Sequence, residues 1–242
     1  MIAPESEPII TVGLVTGADS SSVALKGPFE TAAGESVPEG QYVIRRTGSA
    51  VRAEGPTTIE GASLSMRPMD HETCRATLDD VVIGIGFHWQ RKESQSFQGT
   101  LSFAGGEDGI TIINQRPLES YLVSVISSEM SASCPPELLR AHSIVSRSWL
   151  LAQTLSGRQA APSQSSVDDR EIIRWYGRES HCGFDVCADD HCQRYQGISK
   201  AFSRAAFDAV EATRGLTLVW GEEICDARYS KSCGGMTIAS RR

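Results

Sequence analysis

The sequence predicts an α+β fold, with a β-rich N-terminal part followed by a helix-containing part. Two observations carry this. Up to about residue 114, β-branched and apolar runs of strand length alternate with turns rich in glycine and proline. Near residue 117 the apolar period changes to that of a helix.

In chain order, Ile9 to Val15 is β-branched and bounded by turn residues. Gln41 to Arg45 follows a Pro-Glu-Gly turn and reads as a second strand. Val81 to Trp89 is apolar enough for a buried strand. Ser96 to Phe103 and Gly109 to Asn114 form a hairpin around Gly105-Gly106-Glu107-Asp108. Leu118, Tyr121, Leu122 and Val125 then recur at helical spacing.

A second helix starts at Pro135-Pro136, which suit a first turn, with Glu137 near the positive end. It runs to about Leu155 and stops before Gly157. Leu138, Ala141, Val145, Trp149 and Ala152 share one apolar face, and Leu139, Ile144, Leu150 and Leu151 extend it around most of the circumference. Arg140 and Arg147, seven residues apart, share the side opposite Val145. They either snorkel to solvent or line a polar cleft.

Residues 158–170 read as a surface loop or insertion. A third helix covers about Lys200 to Thr213 and is capped by Gly215. Leu216 to Trp220 and Ile224 to Tyr229 pair as a hairpin. The expected division is a β-rich region over 1–114 and a second region over 115–242. The stop soon after Ser232-Cys233-Gly234-Gly235 suggests a truncated C-terminus.

A formal net charge of −7 argues against nonspecific nucleic-acid binding, which needs a basic footprint. It fits an uncharged polymer such as a glycan without demanding one. No apolar stretch approaches the roughly 20 residues of a membrane span. Met1 to Ile10 lacks the pattern of a secretory signal, so a cytoplasmic protein and an exported one without its leader both remain open. The 7 cysteines cannot all pair internally, and Cys182, Cys187 and Cys192 cluster within eleven residues.

Several blocks carry a family resemblance. Leu118 through Met130 is similar to the signature of the SpoIID/LytB family, named for stage II sporulation protein D. The likeness continues through Pro136 to His142 and Val145 to Trp149. It resumes at Phe184 to Cys187, His191 to Gly197, and from Ala209-Val210 to Gly215, and closes at Tyr229 to Gly235. These blocks span about residues 117 to 237, half the chain.

The resemblance implies a lytic transglycosylase that cleaves the N-acetylmuramic acid to N-acetylglucosamine bond of peptidoglycan. The expected products are 1,6-anhydromuramoyl ends, on strands already stripped of stem peptides. It maps the catalytic glutamate onto Glu129 and two basic cleft positions onto Arg140 and Arg147. The first is often lysine in the family. The usual proline after Glu-Met is Ser131 here. An extracytoplasmic place of action follows from the family. The alternative is a noncatalytic glycan-binding module that stimulates a cell-wall amidase.

A single carboxyl group suffices for this chemistry. Most glycosidases use two, whereas here the substrate's C6 hydroxyl replaces the second nucleophile. A protonated Glu129 donates to the leaving oxygen and, as carboxylate, accepts the C6 hydroxyl proton. Without the family, Glu129 reads as a solvated surface glutamate. Ser148, Tyr229, Ser230, Ser232, Cys233, Gly234 and Gly235 are expected on the substrate side, the glycines permitting close backbone approach. For Arg140 an ion pair with Glu119 or Asp185 is the competing reading.

The run from His181 to Cys192 has the ligand density of a structural zinc site. The expected ligands are His181, Cys187 and Cys192, with His191 or Cys182 as substitutes and a fourth place open to water. A disulfide is the rival account, and a zinc-bound water would point to a hydrolase instead. His142 reads as a core histidine.

Overall fold

A computed structural model describes residues 6–131, 134–154, 164–167, 172–175, 181, 183–200 and 204–229. The fold is α+β, mostly sheet with three helices. The N-terminal strands are β1 (Ile9–Ala18), β2 (Ser20–Lys26), β3 (Phe29–Glu30), β4 (Ser36–Val37), β5 (Gly40–Thr47) and β6 (Ala50–Glu54). They continue through β7 (Thr58–Gly61), β8 (Ser63–Pro68), β9 (Arg75–Ile83), β10 (Arg91–Phe97), β11 (Thr100–Gly106) and β12 (Gly109–Pro117). Helices α1 (Leu118–Glu129) and α2 (Pro136–Thr154) follow, then β13 (Gln164–Val167), β14 (Ile172–Trp175) and β15 (Val186–Cys187). Helix α3 (Arg204–Ala212) and the short pair β16 (Val219–Trp220) and β17 (Glu223–Ile224) complete the described chain.

Two sheets dominate. One has the order β15-β1-β12-β11-β8-β3-β4, the other β10-β9-β2-β5-β6-β7. Alternation is the physical driver: in β6 Val51 and Ala53 point inward while Ala50, Arg52 and Glu54 do not. Ile10, Val12, Val23, Ile44, Phe97, Leu101, Phe103 and Ile112 fill a core that continues into Tyr121, Leu122 and Val125 of α1 and Leu139 and Leu150 of α2. Strand β15 adds to the first sheet in parallel, pairing Val186 with Val12 and Cys187 with Gly13. Gly13 leaves room for Phe184, whose ring would lie 2.6 Å from any Cβ there. Among the described residues no helix is long and apolar enough to cross a membrane.

The hairpin expected around residues 105–108 is the β11–β12 pair. Three expectations need correction. The strand read over Val81 to Trp89 ends at Ile83, because Gly84 and Gly86 take left-handed φ values of 68° and 80°. Residues 84–90 instead turn outward as the β9–β10 loop, and Ile85 is 61% exposed. Helix α2 is rotated from the expected apolar face. Leu138 and Ala141 are exposed, while Leu139, His142, Ser143, Ser146 and Leu150 are buried. Ser143 donates to the Leu139 carbonyl and His142 faces Glu129, polar placements that apolar counting does not see. Within the expected loop 158–170, residues 164–167 form strand β13, paired with β14; the rest lies outside the described residues.

Candidate active site and metal cluster

Helix α1 buries Leu118, Tyr121, Leu122, Val125 and Ile126, one stripe at helical spacing. Glu129 lies four residues beyond Val125 and continues that stripe in the last turn, so its side chain is only 17% exposed. Met130 then turns extended, with φ −116° and ψ 152°, and the helix ends. A carboxylate in a last turn faces the partial negative charge of unpaired carbonyls. One hydrogen bond compensates, and two further polar groups stand close by.

The backbone N–H of Arg194 donates to Glu129 Oε1 at 3.0 Å. His142 Nε2, on α2, stands 3.3 Å from Glu129 Oε2. The Tyr229 hydroxyl reaches toward Glu129, Ser146 and Gln193. Burial first, then the charge of Glu129, pushes its pKa well above the ordinary phenol value. Tyr229 therefore remains a hydrogen-bond donor at any working pH. His142 and Tyr229 also meet edge to face, with ring centroids 4.7 Å apart.

The segment carrying Arg194 is itself pinned. Gln193 accepts from the Tyr121 hydroxyl at 3.1 Å and donates to the Ser146 carbonyl at 3.2 Å. Tyr195 stacks on Tyr121 at 5.2 Å and donates to Asn114 at 2.6 Å. Gln196 N donates to the Ser124 hydroxyl at 3.2 Å. Gly197, at φ 58°, permits contact with β10, where any Cβ would meet the Ser96 carbonyl at 2.3 Å.

Beside Glu129 opens a cleft of about 430 Å³ lined by Trp89, Arg91, Ser127, Ser128, Arg194 and Lys200, among others. Glu129 itself is not in the lining; it follows the lining residue Ser128 in the chain and accepts the backbone N–H of the lining residue Arg194.

The two arginines expected together are separated. Arg140 is exposed. Arg147 is fully buried, and its Nε and Nη2 donate to the two oxygens of Glu119 at 3.0 and 2.6 Å. Its Nη1 donates to the Leu216 carbonyl at 3.0 Å. The ion pair with Glu119 considered for Arg140 thus belongs to Arg147. Ser148 is also buried; it donates to the Ile144 carbonyl at 2.6 Å and accepts from Leu218 N at 2.8 Å. Both residues tie α2 to the chain after α3 rather than face the cleft. Ser230, Ser232, Cys233, Gly234 and Gly235 lie outside the described residues.

The expected metal ligands do converge. His181, Cys187, His191 and Cys192 bring their ligand atoms within 4.8 Å of one another, a group that could hold a metal ion. Cys187 Sγ is 3.8 Å from His191 Nδ1. Cys192 Sγ is 3.6 Å from His191 Nδ1 and 3.8 Å from His181 Nε2. Hydrogen bonding from Cys192 first, and from the two imidazoles, holds the Cys187 thiol well below its ordinary pKa. Strand β15 anchors this loop: Thr11 donates to Asp185 from N at 2.8 Å and from Oγ1 at 2.7 Å. All three expected ligands are in the group, and His191 stands in the fourth place that was expected to be open to water; Cys182 lies outside the described residues.

The sequence reading gave no site role to His142, which faces Glu129, or to Trp89, Arg91, Arg194 and Lys200 of the cleft lining. His142 was discoverable. The short connection between α1 and α2 brings the end of one helix against the early turns of the next, so Glu129 and His142 are natural neighbours.

Residues 106–220, which include Glu129, His142 and the whole metal cluster, match the family model described as SpoIID, stage II sporulation protein. Through this region the chain belongs to the SpoIID family. It is 27% identical over 123 residues to stage II sporulation protein D of Bacillus subtilis, covering 50% of this chain and 33% of that protein. The same-named protein of Bacillus amyloliquefaciens is 25% identical over 122 residues, again 50% of this chain and 33% of the relative. An uncharacterized protein of Brachyspira hyodysenteriae is 25% identical over 141 residues, 58% of this chain and 32% of the relative. The chain thus spans about a third of the length of these relatives. No solved structure gives a significant match. The SpoIID match begins at residue 106, so Trp89 and Arg91 of the cleft lie outside it.

Proposed function

We propose that this SpoIID-family chain is a peptidoglycan lytic transglycosylase in which Glu129 is the acid/base, acting outside the cytoplasm where its substrate lies. The observation that carries this is the setting of Glu129: largely buried, held by Arg194 N–H, approached by His142, and next in the chain to Ser128 of the cleft lining.

In the first step the Glu129 proton passes to the glycosidic oxygen, and the bond from that oxygen to C1 of the N-acetylmuramic residue breaks. The electron pair leaves with the N-acetylglucosamine alcohol. The C6 hydroxyl of the same muramic residue then bonds to C1 and returns its proton to Glu129. No water is consumed and Glu129 ends protonated, ready for another cycle. One carboxyl group therefore suffices, unlike the pair in most glycosidases. Arg194 N–H and the Tyr229 hydroxyl favour the carboxylate that exists between the two transfers. His142 Nε2 can accept from the acid or donate to the carboxylate, according to which ring nitrogen carries its proton.

The donor set of the nearby cluster suits zinc. Zinc sits about 2.3 Å from sulfur and about 2.0–2.1 Å from nitrogen, which puts tetrahedral sulfur and nitrogen ligands roughly 3.5 Å apart. The three separations of 3.6 to 3.8 Å are close to that. Two imidazoles and two thiols leave no ligand position for an activated water, so bound zinc would supply structural cross-linking. His181, Cys187, His191 and Cys192 would hold the loop whose continuation, Arg194, clamps Glu129.

Reaction in ¹⁸O-labelled water tests the reading. Denuded glycan strands should yield unlabelled anhydro ends. Labelled reducing ends would make the protein a hydrolase.

A further inference from the structure

The cleft beside Glu129 has a chemical character of its own. Among the described residues its lining includes three cations, Arg91, Arg194 and Lys200, and no carboxylate, in a chain of net charge −7. Arg194 is occupied by Asp190, at 2.9 and 2.8 Å, and its guanidinium lies 4.9 Å from the centre of the Trp89 ring. Arg91 shares Glu93 Oε1 through two hydrogen bonds of 2.8 and 2.6 Å, which leaves a donor edge of the guanidinium unspent. Lys200 has no carboxylate partner among the described residues. The Ser127 and Ser128 hydroxyls, also in the lining, are buried without a hydrogen-bond partner.

The wall carrying Trp89 and Arg91 is held firmly. Asp189, in the metal-cluster loop, accepts Gly84 N at 3.0 Å and Ile85 N at 2.9 Å. Ile198 N donates to the Ser96 carbonyl at 2.8 Å, and Ser96 N donates to the Ser199 hydroxyl at 2.7 Å. The β9–β10 hairpin, outside the family-matching region, is thereby fixed against the segment that carries Arg194 and Lys200.

We propose that Trp89 and Arg91 of this hairpin, together with Lys200, Ser127 and Ser128, form an anion-selective sugar subsite next to Glu129. This rests on the glycan-cleaving reading above. The ligand class is a sugar bearing a free carboxylate. The aromatic edge covers a ring face, the serines bond hydroxyl or acetamido groups, and Arg91 and Lys200 hold the carboxylate. An N-acetylmuramic residue offers that carboxylate on its lactyl ether when no peptide is attached. With a stem peptide the lactyl group is an amide, and any charge lies further out.

Binding is measured with the Glu129→Gln chain, so that strands stay whole, by fluorescence anisotropy at low salt. The probes are denuded strands, denuded strands with carboxyls converted to methyl amides, and peptide-bearing strands. Denuded strands should bind at least tenfold more tightly than the other two. Lys200→Gln or Arg91→Gln should lower denuded-strand affinity toward that of the amidated strands and narrow the gap between the two probes. Equal affinity for charged and amidated strands overturns the subsite, as does discrimination that survives both substitutions. Peptide-bearing strands that bind as tightly as denuded ones overturn the lactyl carboxylate as the recognised group. Cleavage by the unaltered chain is scored separately. Cleavage without discrimination rejects the subsite alone, and discrimination without cleavage rejects the catalytic reading alone.

Discussion

His142 Nε2 stands 3.3 Å from Glu129 Oε2, and the same imidazole meets Tyr229 edge to face. A histidine that only filled core space would have no reason to face a carboxyl group. His142→Phe should keep the fold and lower turnover by roughly tenfold to a hundredfold, within the range ascribed to a single proton-handling partner. Tyr229→Phe should act in the same direction and less strongly, since Arg194 N–H still serves Glu129. Turnover with thermal denaturation as control checks both. Unchanged turnover in His142→Phe would return that residue to a packing role.

Arg147 and Glu119 form a buried bidentate pair that joins α1, α2 and the chain after α3. Removing one partner leaves the other charged and buried, at a cost of about 3–5 kcal/mol. Glu119→Gln and Arg147→Met should each be strongly destabilising in urea denaturation. The double substitution Glu119→Leu with Arg147→Met should recover much of the loss. A mild effect of either single change would mean that Arg147 faces water.

The metal cluster predicts an acid-sensitive loop. Metal ligation needs Cys187 and Cys192 as thiolates and both imidazoles neutral, so bound metal should leave as pH falls. The sign is the same without metal. The Cys187 pKa is depressed in the fold, so its stabilisation is complete above the ordinary thiol value and declines as pH drops toward the folded value. Metal content by elemental analysis across pH, and hydrogen exchange of residues 187–200 with and without chelator, measure it. The account expects faster exchange after chelation, and unchanged exchange would contradict a structural metal.

Tyr121 and Tyr195 are buried and Tyr229 is half-buried, and the pKa values of all three are raised chiefly by desolvation. An unfolded tyrosine ionises near about 10. Below that value both states are protonated and these groups cost nothing. Above it only the unfolded state loses the proton, so stability falls as pH rises. A 295 nm titration should show these three phenols ionising together with unfolding. Gradual ionisation of all 5 tyrosines in the folded protein would contradict the burial.

Much of this was legible in the sequence, and the limits have physical causes. The β11–β12 hairpin and helices α1 and α2 follow from period and turn chemistry, which are local. The site depends on long-range pairing. Arg194 reaches Glu129 across 65 positions, and Asp189 meets Gly84 across 105. Arg147 shows the same limit: its spacing from Arg140 put both on one helix side, but Glu119 determines that only Arg147 is buried. The strand expected to reach Trp89 failed because two left-handed glycines outweigh an apolar run. The metal cluster was legible because four ligands of two types, histidine and cysteine, fall within a dozen residues.

The most direct test of the central claim compares the chain with Glu129→Gln on purified denuded glycan strands by mass spectrometry. The account predicts 1,6-anhydromuramoyl ends from the unaltered protein and none from Glu129→Gln, with the folds indistinguishable by circular dichroism. Anhydro ends at equal rates from both would remove Glu129 from the chemistry.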